Sequence, residues 1–273
     1  VRCGRSSFNL VGMSAEDYPD LPSVEAENGV SLPQDLLKKM INECSFAVST
    51  NESRPVYMGT LFEIAHNELT MVSVDGYRLA LRREPVEGYG DDCSFIVPGT
   101  ALSDLERLCG DSDERVVLSV GSKHISFTVG NTVILSRRLE GDFLNYKKAI
   151  PESFRITVKT ARTDLLDVVE RVSLIVDSKN NAPLRLTFRK DAIDFVCTTP
   201  LGKAADSCPC EGDGGDLEIG FNDHYLSDAL KAAPADELNV CLNTGSSPCI
   251  FVPADGSDNF VYMVLPVRLR AGQ

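Results

Sequence analysis

The residues of this chain that could do chemistry are histidines, cysteines and paired carboxylates, and their spacing indicates no catalytic site. The three histidines, His66, His124 and His224, are far apart in the sequence. The two cysteines of "CPC" at 208–210 have neither a second pair at metal-ligand spacing nor a nearby histidine, so we expect thiols without a metal. These patterns predict neither a catalytic residue nor a cofactor or metal.

The remaining motifs also argue against an enzyme. No G-x-S-x-G or Walker sequence occurs, and "GDGGD" at 212–216 follows no strand-to-helix turn that could cradle a phosphate. Acidic pairs such as Asp91-Asp92 are too common to indicate a glycosidase. A hydrolase that uses exposed carboxylates is therefore the least favoured function for this chain.

Length and composition describe a globular chain. Its 273 residues suffice for two domains with their own cores, and 43% hydrophobic with 25% charged residues is ordinary for folded proteins. No apolar run reaches 18 residues, and "VRCGRSSFNL" at the start lacks the apolar core of a signal peptide. We expect a cytoplasmic protein with no membrane partner.

Cysteine usage and charge narrow the class further. Nine scattered cysteines, an odd number, fit thiols in a reducing compartment better than a disulfide framework. The formal net charge of -13 argues against a uniformly basic nucleic-acid binder, although an acidic body can carry a local positive face.

The stretch "VDGYRLAL" at 74–81 raises a question of its own. Asp75-Gly76 between two apolar runs predicts a hairpin turn, because glycine tolerates the positive φ that a two-residue turn requires. A plain hairpin does not need the bulky Tyr77 and the cationic Arg78 that follow. These two residues are either ordinary strand residues or part of a site.

The order of elements repeats after roughly 125 residues. "VSLPQDLLKKMINECSFAVS" at 30–49 and "ITVKTARTDLLDVVERVSLIVD" at 156–177 each read as a strand followed by an amphipathic helix, with Asp35 and Asp164 as N-cap candidates. "FIVPGTALSDLERLCG" at 95–110 and "LEIGFNDHYLSDALKAA" at 217–233 repeat the strand and helix, and hairpins follow both.

This repeat predicts an α+β architecture, in which each copy is an antiparallel sheet with two helices on one face. The two copies meet near Pro151, so we expect one unit over 25–151 and the next over 152–273. Residues 1–24 belong to neither and read as the end of a preceding unit, with a strand in "SFNLVGM" and a loop in "SAEDYPDLP".

The sequence closely resembles the β sliding clamp of bacterial DNA polymerase III over nearly its whole length. The resemblance rests on five ordered motifs: "FNLVGMSAEDYPDLP" at 8–22, "GTLFE" at 59–63, "VDGYRLAL" at 74–81, "EGDFLNY" at 140–146 and "VYMVLPVRL" at 261–269.

The resemblance implies a non-catalytic DNA polymerase processivity factor built from repeated DNA-clamp-type domains. In this family each chain has three such domains, and two chains form a ring around duplex DNA, which they contact without reading its sequence. The present chain corresponds to the second and third domains with the end of the first. We therefore expect a fragment or truncated form that is mostly monomeric.

The family binds short linear peptides of the replicative polymerase and the clamp loader in a hydrophobic cleft between the second and third domains. The resemblance places one wall at Val74, Gly76, Tyr77, Arg78 and Leu79, with Tyr57 beside it; Leu144, Lys148 and Ala149 in the linker; Asn181 in a loop; Ser246 and Pro248 in a hairpin; and Met263, Val264, Leu265, Pro266, Val267 and Arg268 at the end of the chain. Leu144 stands where the family usually has proline, and Lys148 replaces a common arginine and so lacks its planar fork.

The DNA-facing surface is less specific. Its candidates are Lys38, Lys39, Arg54, Arg107, Arg162 and Arg171. Acidic residues share the same helices, so a solvated face is an equally good interpretation. The alternative function, from a different class, is a protein-binding adaptor that keeps the cleft and never encircles DNA.

Overall fold

The computed structural model describes residues 1–18, 24, 29–87, 92–176 and 182–269. Asp91 and Asn181 of the sequence analysis lie outside these ranges.

The chain begins with a small hairpin. It consists of β1 (Arg2–Cys3) and β2 (Ser6–Ser7), and a 3-10 turn follows at Ala15–Asp17. The predicted strand in "SFNLVGM" is wrong beyond Ser7, since residues 8–14 take no regular secondary structure. A strand requires a hydrogen-bonded neighbour, and no sheet of the described residues includes residues 8–14.

The next unit alternates strands and helices. Its elements are β3 (Gly29–Pro33), α1 (Gln34–Ser45), a 3-10 turn (Pro55–Met58), β4 (Gly59–Ala65), β5 (Glu68–Val74), β6 (Arg78–Pro85), β7 (Cys93–Pro98), α2 (Gly99–Leu108), β8 (Arg115–Val120), β9 (His124–Val129) and β10 (Thr132–Arg137).

A linker containing the one-turn helix α3 (Tyr146–Ala149) leads to the last unit. The elements of this unit are β11 (Ile156–Ala161), α4 (Arg162–Ser173), β12 (Leu184–Thr199), β13 (Gly202–Phe221), α5 (Asp223–Ala232), β14 (Glu237–Leu242), β15 (Cys249–Pro253) and β16 (Phe260–Val264). The two long strands β12 and β13, with register shifts between Phe188 and Ala192, take the place of the four strands β4–β7.

The N-cap prediction is wrong in both units. The residues at the N-caps of α1 and α4 are Pro33 and Ala161, and Asp35 and Asp164 lie inside the first turn. Loop carbonyls replace side-chain caps at these two helix starts. Gln34 N donates a hydrogen bond to Glu114 O at 2.9 Å, and Arg162 N donates one to Asp236 O at 2.8 Å. Asp35 and Asp164 remain favourable near the positive ends of the helix dipoles.

The strands form antiparallel sheets, which confirms the predicted α+β class. A sheet of ten strands has the order β12-β13-β11-β14-β15-β16-β6-β5-β4-β7, and a sheet of four has the order β10-β9-β8-β3. The larger sheet crosses from one unit to the other, because β16 pairs with β6 from Phe260↔Arg82 to Val264↔Arg78. Backbone hydrogen bonds thus join the two units.

The two faces of the ten-stranded sheet bury different cores. On β6 and β16, Ala80, Tyr262 and Val264 belong to the main core, which includes the buried faces of α1, α2, α4 and α5. Their neighbours Leu79 and Met263 belong to a second cluster on the opposite face. We call the first face the helix side and the second the outer side.

A buried arginine also joins the units on the helix side. Arg82 of β6 donates hydrogen bonds to Glu43 of α1, to Glu84, and to the carbonyl of Asn259, which precedes β16, at 2.9 Å. Burial raises the pKa of Glu43, although the Arg82 guanidinium opposes this shift. The carboxylate therefore depends on its arginine partner.

Candidate functional site

The stretch 74–81 forms the predicted hairpin, with its turn one residue later than Asp75-Gly76. Asp75 N donates to Arg78 O at 3.3 Å, so Gly76 and Tyr77 form the two-residue loop. Gly76 has a φ of 97°, which glycine adopts without the strain of a side chain. The Asp75 carboxylate accepts hydrogen bonds from Tyr77 N at 2.8 Å and Arg78 N at 3.0 Å, which stabilises the loop.

The side chain of Arg78 lies on the helix side and is already bound. It forms ion pairs with Asp75 and with Asp228 of α5, and its guanidinium lies over the rings of Tyr225 and Phe46 at 4.8 and 5.4 Å. With these partners, Arg78 braces the hairpin against α5.

Tyr77 is placed very differently. The residue is 60% exposed at the tip of the hairpin, and its ring stacks on Tyr225 with centroids 5.7 Å apart. Its carbonyl accepts a hydrogen bond from Leu265 N at 2.8 Å, which ties the end of the chain to the loop. An exposed aromatic ring on a fixed backbone offers apolar contact area at little cost in conformational entropy.

The outer side carries an apolar patch across the seam between β6 and β16. Seven predicted site residues belong to its cluster: Tyr57, Val74, Leu79, Leu144, Ala149, Met263 and Leu265. Val74, Leu79 and Met263 are buried, whereas the other four are half-buried and keep apolar surface in contact with solvent. We call these seven residues the outer patch.

The other predicted residues surround this patch or lie away from it. Ser246 and Pro248 are in the loop between β14 and β15, and Val267 bridges to Gly220 of β13. Pro266 and Arg268 flank Val267, and Lys148 is exposed in α3. Val264, like Arg78, lies on the helix side.

The linker reaches the outer patch through an anchor that sequence reasoning missed. Glu63 of β4 accepts hydrogen bonds from Tyr146 Oη at 2.7 Å and from Lys147 Nζ at 2.6 Å. Burial favours a higher pKa for Glu63, but the hydrogen bonds from Lys147 and Tyr146 outweigh it and lower the pKa. The carboxylate therefore stabilises the fold above its unfolded pKa, and this contribution is lost as the pH falls through its lower folded pKa.

Tyr225, Asp228 and Glu63 escaped the sequence analysis because their partners are distant in the chain. Arg78 and Asp228 are 150 residues apart, and Glu63 and Tyr146 are 83 apart. The one available signal was that "GTLFE" and "EGDFLNY", which contain Glu63 and Tyr146, both carried the family resemblance.

Four of the six DNA-facing candidates lie on helices and form ion pairs. Lys38 pairs with Asp111, Lys39 with Asp35, Arg107 with Asp104 and Arg171 with Asp206, at nitrogen–oxygen distances of 2.8, 3.0, 3.5 and 2.7 Å. These partners reduce the positive potential that a phosphate would meet.

The other two candidates are arginines with different surroundings. Arg162 donates to the carbonyls of Leu230, in the last turn of α5, and of Ala235, three residues after the helix ends. Arg54 lies over the ring of Tyr57, and no ion pair among the described residues includes it.

The described residues contain no group of three His, Cys, Asp or Glu side chains arranged to hold a metal ion. All nine cysteines are described, and no disulfide joins them; the pKa of Cys210 is raised by burial to about 11. None of the described helices combines the length and apolar character needed to cross a membrane.

Two family models match the chain. Residues 31–145 match the central domain of the DNA polymerase III beta subunit, and residues 147–268 match its C-terminal domain. The first match ends at the start of the linker helix, and the second begins there.

Known proteins with these domains resemble the chain over almost all of its length. A beta sliding clamp of Staphylococcus epidermidis is 34% identical over 98% of this chain and 71% of that protein, and one of Staphylococcus aureus is 33% identical over the same shares. The crystal structure of the Bacillus subtilis DNA polymerase sliding clamp superposes with a TM-score of 0.93 at 28% identity, covering 98% of this chain and 72% of that one.

Proposed function

Because the chain belongs to the DNA polymerase III beta subunit family of sliding clamps, whose members are non-catalytic, we propose that it tethers a replicative polymerase and its clamp loader to duplex DNA. In this proposal short linear peptides of these partners dock on the outer patch. The peptides supply apolar side chains, and the clamp supplies a fixed surface.

The observation that carries this proposal is the composition of the outer patch. Residues from the hairpin, the linker and the end of the chain meet on one face of the sheet. A half-buried apolar surface with a few polar groups at its edge suits the capture of one or two apolar side chains. One similar protein, a Pseudomonas aeruginosa clamp that is 29% identical and superposes with a TM-score of 0.90, was crystallised bound to griselimycin.

The ligand class is the one that the family resemblance implies, and the apolar character of the patch suits it. We propose a pentapeptide-like segment that begins with Gln and ends with Leu-Phe and binds in the micromolar range. Such a segment orders few residues and buries little area, so its affinity is modest. Lys148 at the edge offers a point charge rather than the fork of an arginine.

The second part of the proposal is that the assembled clamp encircles duplex DNA. Its contacts are with phosphates and not with base edges, so binding by this chain should be weak, salt-sensitive and blind to sequence. In fluorescence anisotropy, the logarithm of the affinity should fall linearly with the logarithm of the salt concentration. Tight binding of one particular duplex at about 200 mM salt, or no salt dependence, contradicts sliding.

The adaptor function is the alternative, and the paired cations favour it. Four of the six DNA-facing candidates form ion pairs, and the chain carries a net charge of -13. Retention of the assembled clamp, rather than of the monomeric chain, on nicked circular DNA after incubation with a clamp loader separates the two functions. A clamp is retained until the DNA is linearised, whereas an adaptor is not retained.

Oligomeric state and location are further parts of the proposal. We propose that this chain is mostly monomeric and acts in the cytoplasm. Analytical ultracentrifugation tests the first point, and a stable closed trimer would contradict it.

A further inference from the structure

We infer that Glu63 is a positioning residue for the peptide site, because it fixes the linker segment that contributes Leu144 and Ala149 to the outer patch and places Lys148 at its edge. This inference rests on the proposed function of that patch. Glu63 itself takes no part in peptide contact here; it acts through Tyr146 and Lys147.

The linker is attached to both units, and Glu63 binds the helix that lies between these attachments. In the unit formed by β3–β10, Leu139 N donates to Ile96 O at 3.0 Å, and Phe143 packs edge-on against Tyr57 with ring centroids 5.7 Å apart. On the last unit, Arg155 N donates to Asn243 Oδ1 at 2.9 Å. The one-turn helix α3 lies between these ends.

The α3 helix is too short to hold its own shape. A single turn has only the hydrogen bonds that close it, here Lys148 N to Asn145 O at 3.2 Å and Ile150 N to Tyr146 O at 3.1 Å. Outside contacts must supply the rest of its order. Tyr146 is buried in the cluster of the outer patch, and Glu63 accepts its hydroxyl hydrogen, so packing and this hydrogen bond together hold the ring.

Both carboxylate oxygens of Glu63 accept hydrogen bonds from the linker. One oxygen accepts from Tyr146 and the other from the next residue, Lys147. The hydrogen bond from the buried Tyr146 carries most of the anchor, because the Lys147 side chain is 66% exposed and its ion pair contributes little. Lys148 and Ala149 then project from the following positions of the same turn.

The test compares Glu63→Ala with Glu63→Gln, using the pentapeptide with Gln first and Leu-Phe last. The alanine variant should lose about tenfold in affinity, because the peptide must then order a linker that is fixed in the wild-type chain. The glutamine variant should keep most of the affinity, since its amide oxygen still accepts from Tyr146. Glu237→Ala, which removes an ion pair with Lys159 far from the linker, is the matched control and should bind like wild type.

Hydrogen exchange of the peptide-free protein tests the anchor independently of the ligand. In Glu63→Ala the amides of Lys148 and Ile150 should exchange about tenfold faster than in wild type, while those of the β5–β6 pairing stay unchanged.

These measurements distinguish a failure of the proposed peptide binding from a failure of the Glu63 anchor. If the wild-type chain does not bind the peptide but exchange at Lys148 and Ile150 rises in Glu63→Ala, the proposed function fails and the anchor stands. If the wild type binds and Glu63→Ala binds equally well with unchanged exchange, the inference is overturned. Equal losses in the alanine and glutamine variants also overturn it.

Discussion

Replacing Arg82 with alanine should lower the free energy of unfolding by about 3–5 kcal/mol, the largest stability effect that we expect from a single substitution in this chain. The side chain is 7% exposed and binds Glu43 of α1, Glu84 and the carbonyl of Asn259. Its removal leaves the buried Glu43 carboxylate without its cation and takes one hydrogen bond from the contact between the two units. Urea denaturation followed by circular dichroism measures the loss.

The neighbouring residue provides the control for this prediction. Arg83 is also an arginine of β6, but its partner Asp258 is 85% exposed, so Arg83→Ala should cost less than about 1 kcal/mol. Adding Glu43→Gln to Arg82→Ala should recover part of the loss, because a neutral amide is less costly to bury than an unpaired carboxylate. Equal losses in the free energy of unfolding for Arg82→Ala and Arg83→Ala would show that the buried hydrogen bonds of Arg82 stabilise the fold no more than an exposed ion pair does.

Replacing Tyr77 with alanine should weaken binding of the pentapeptide about thirtyfold, or about 2 kcal/mol, a loss typical of truncating one residue of a binding pocket. Tyr77 is 60% exposed at the tip of the hairpin, and one face of its ring stacks on Tyr225 of α5, so a ligand that extends from the outer patch to this tip can cover the other face. Asp75 holds the loop through the backbone amides of residues 77 and 78, and alanine keeps those amides. Folding should therefore change little.

Calorimetric titration measures this prediction, and Tyr18→Ala is its matched control. Tyr18 is 76% exposed, lies in the N-terminal segment, and should be replaceable without effect on the peptide. Unchanged affinity in a well-folded Tyr77→Ala protein would mean that "VDGYRLAL" is only a hairpin.

The sequence predicted the fold better than it predicted the roles of individual side chains. Hydrophobic periodicity and the internal repeat identified the helices, the antiparallel hairpins and the α+β class, because these features depend on neighbours within a few residues. The helix caps failed for the opposite reason. Glu114 O and Asp236 O, which accept from the first helical amides, come from loops that local patterns cannot place beside the helix.

In the site, too, contacts between residues distant in the sequence could not be predicted. The resemblance assigned Val74, Leu79, Met263 and Arg78 to the cleft, and the first three meet in one cluster. The structure shows the Arg78 guanidinium between Asp75 and Asp228 on the helix side, held by a partner 150 residues away. Likewise, Lys39 and Asp35 are paired at the i,i+4 spacing of one helix, whereas the partner of Lys38 is Asp111, beyond α2.

The central claim is that a short peptide binds on the outer patch, and hydrogen–deuterium exchange with and without the pentapeptide tests it most directly. The claim predicts slower exchange in three separated segments, 74–79, 144–150 and 263–267, and no change for a peptide in which Leu-Phe is replaced by Ala-Ala. Protection confined to α1, α2, α4 and α5, or no protection at a concentration where calorimetry shows saturation, would contradict it.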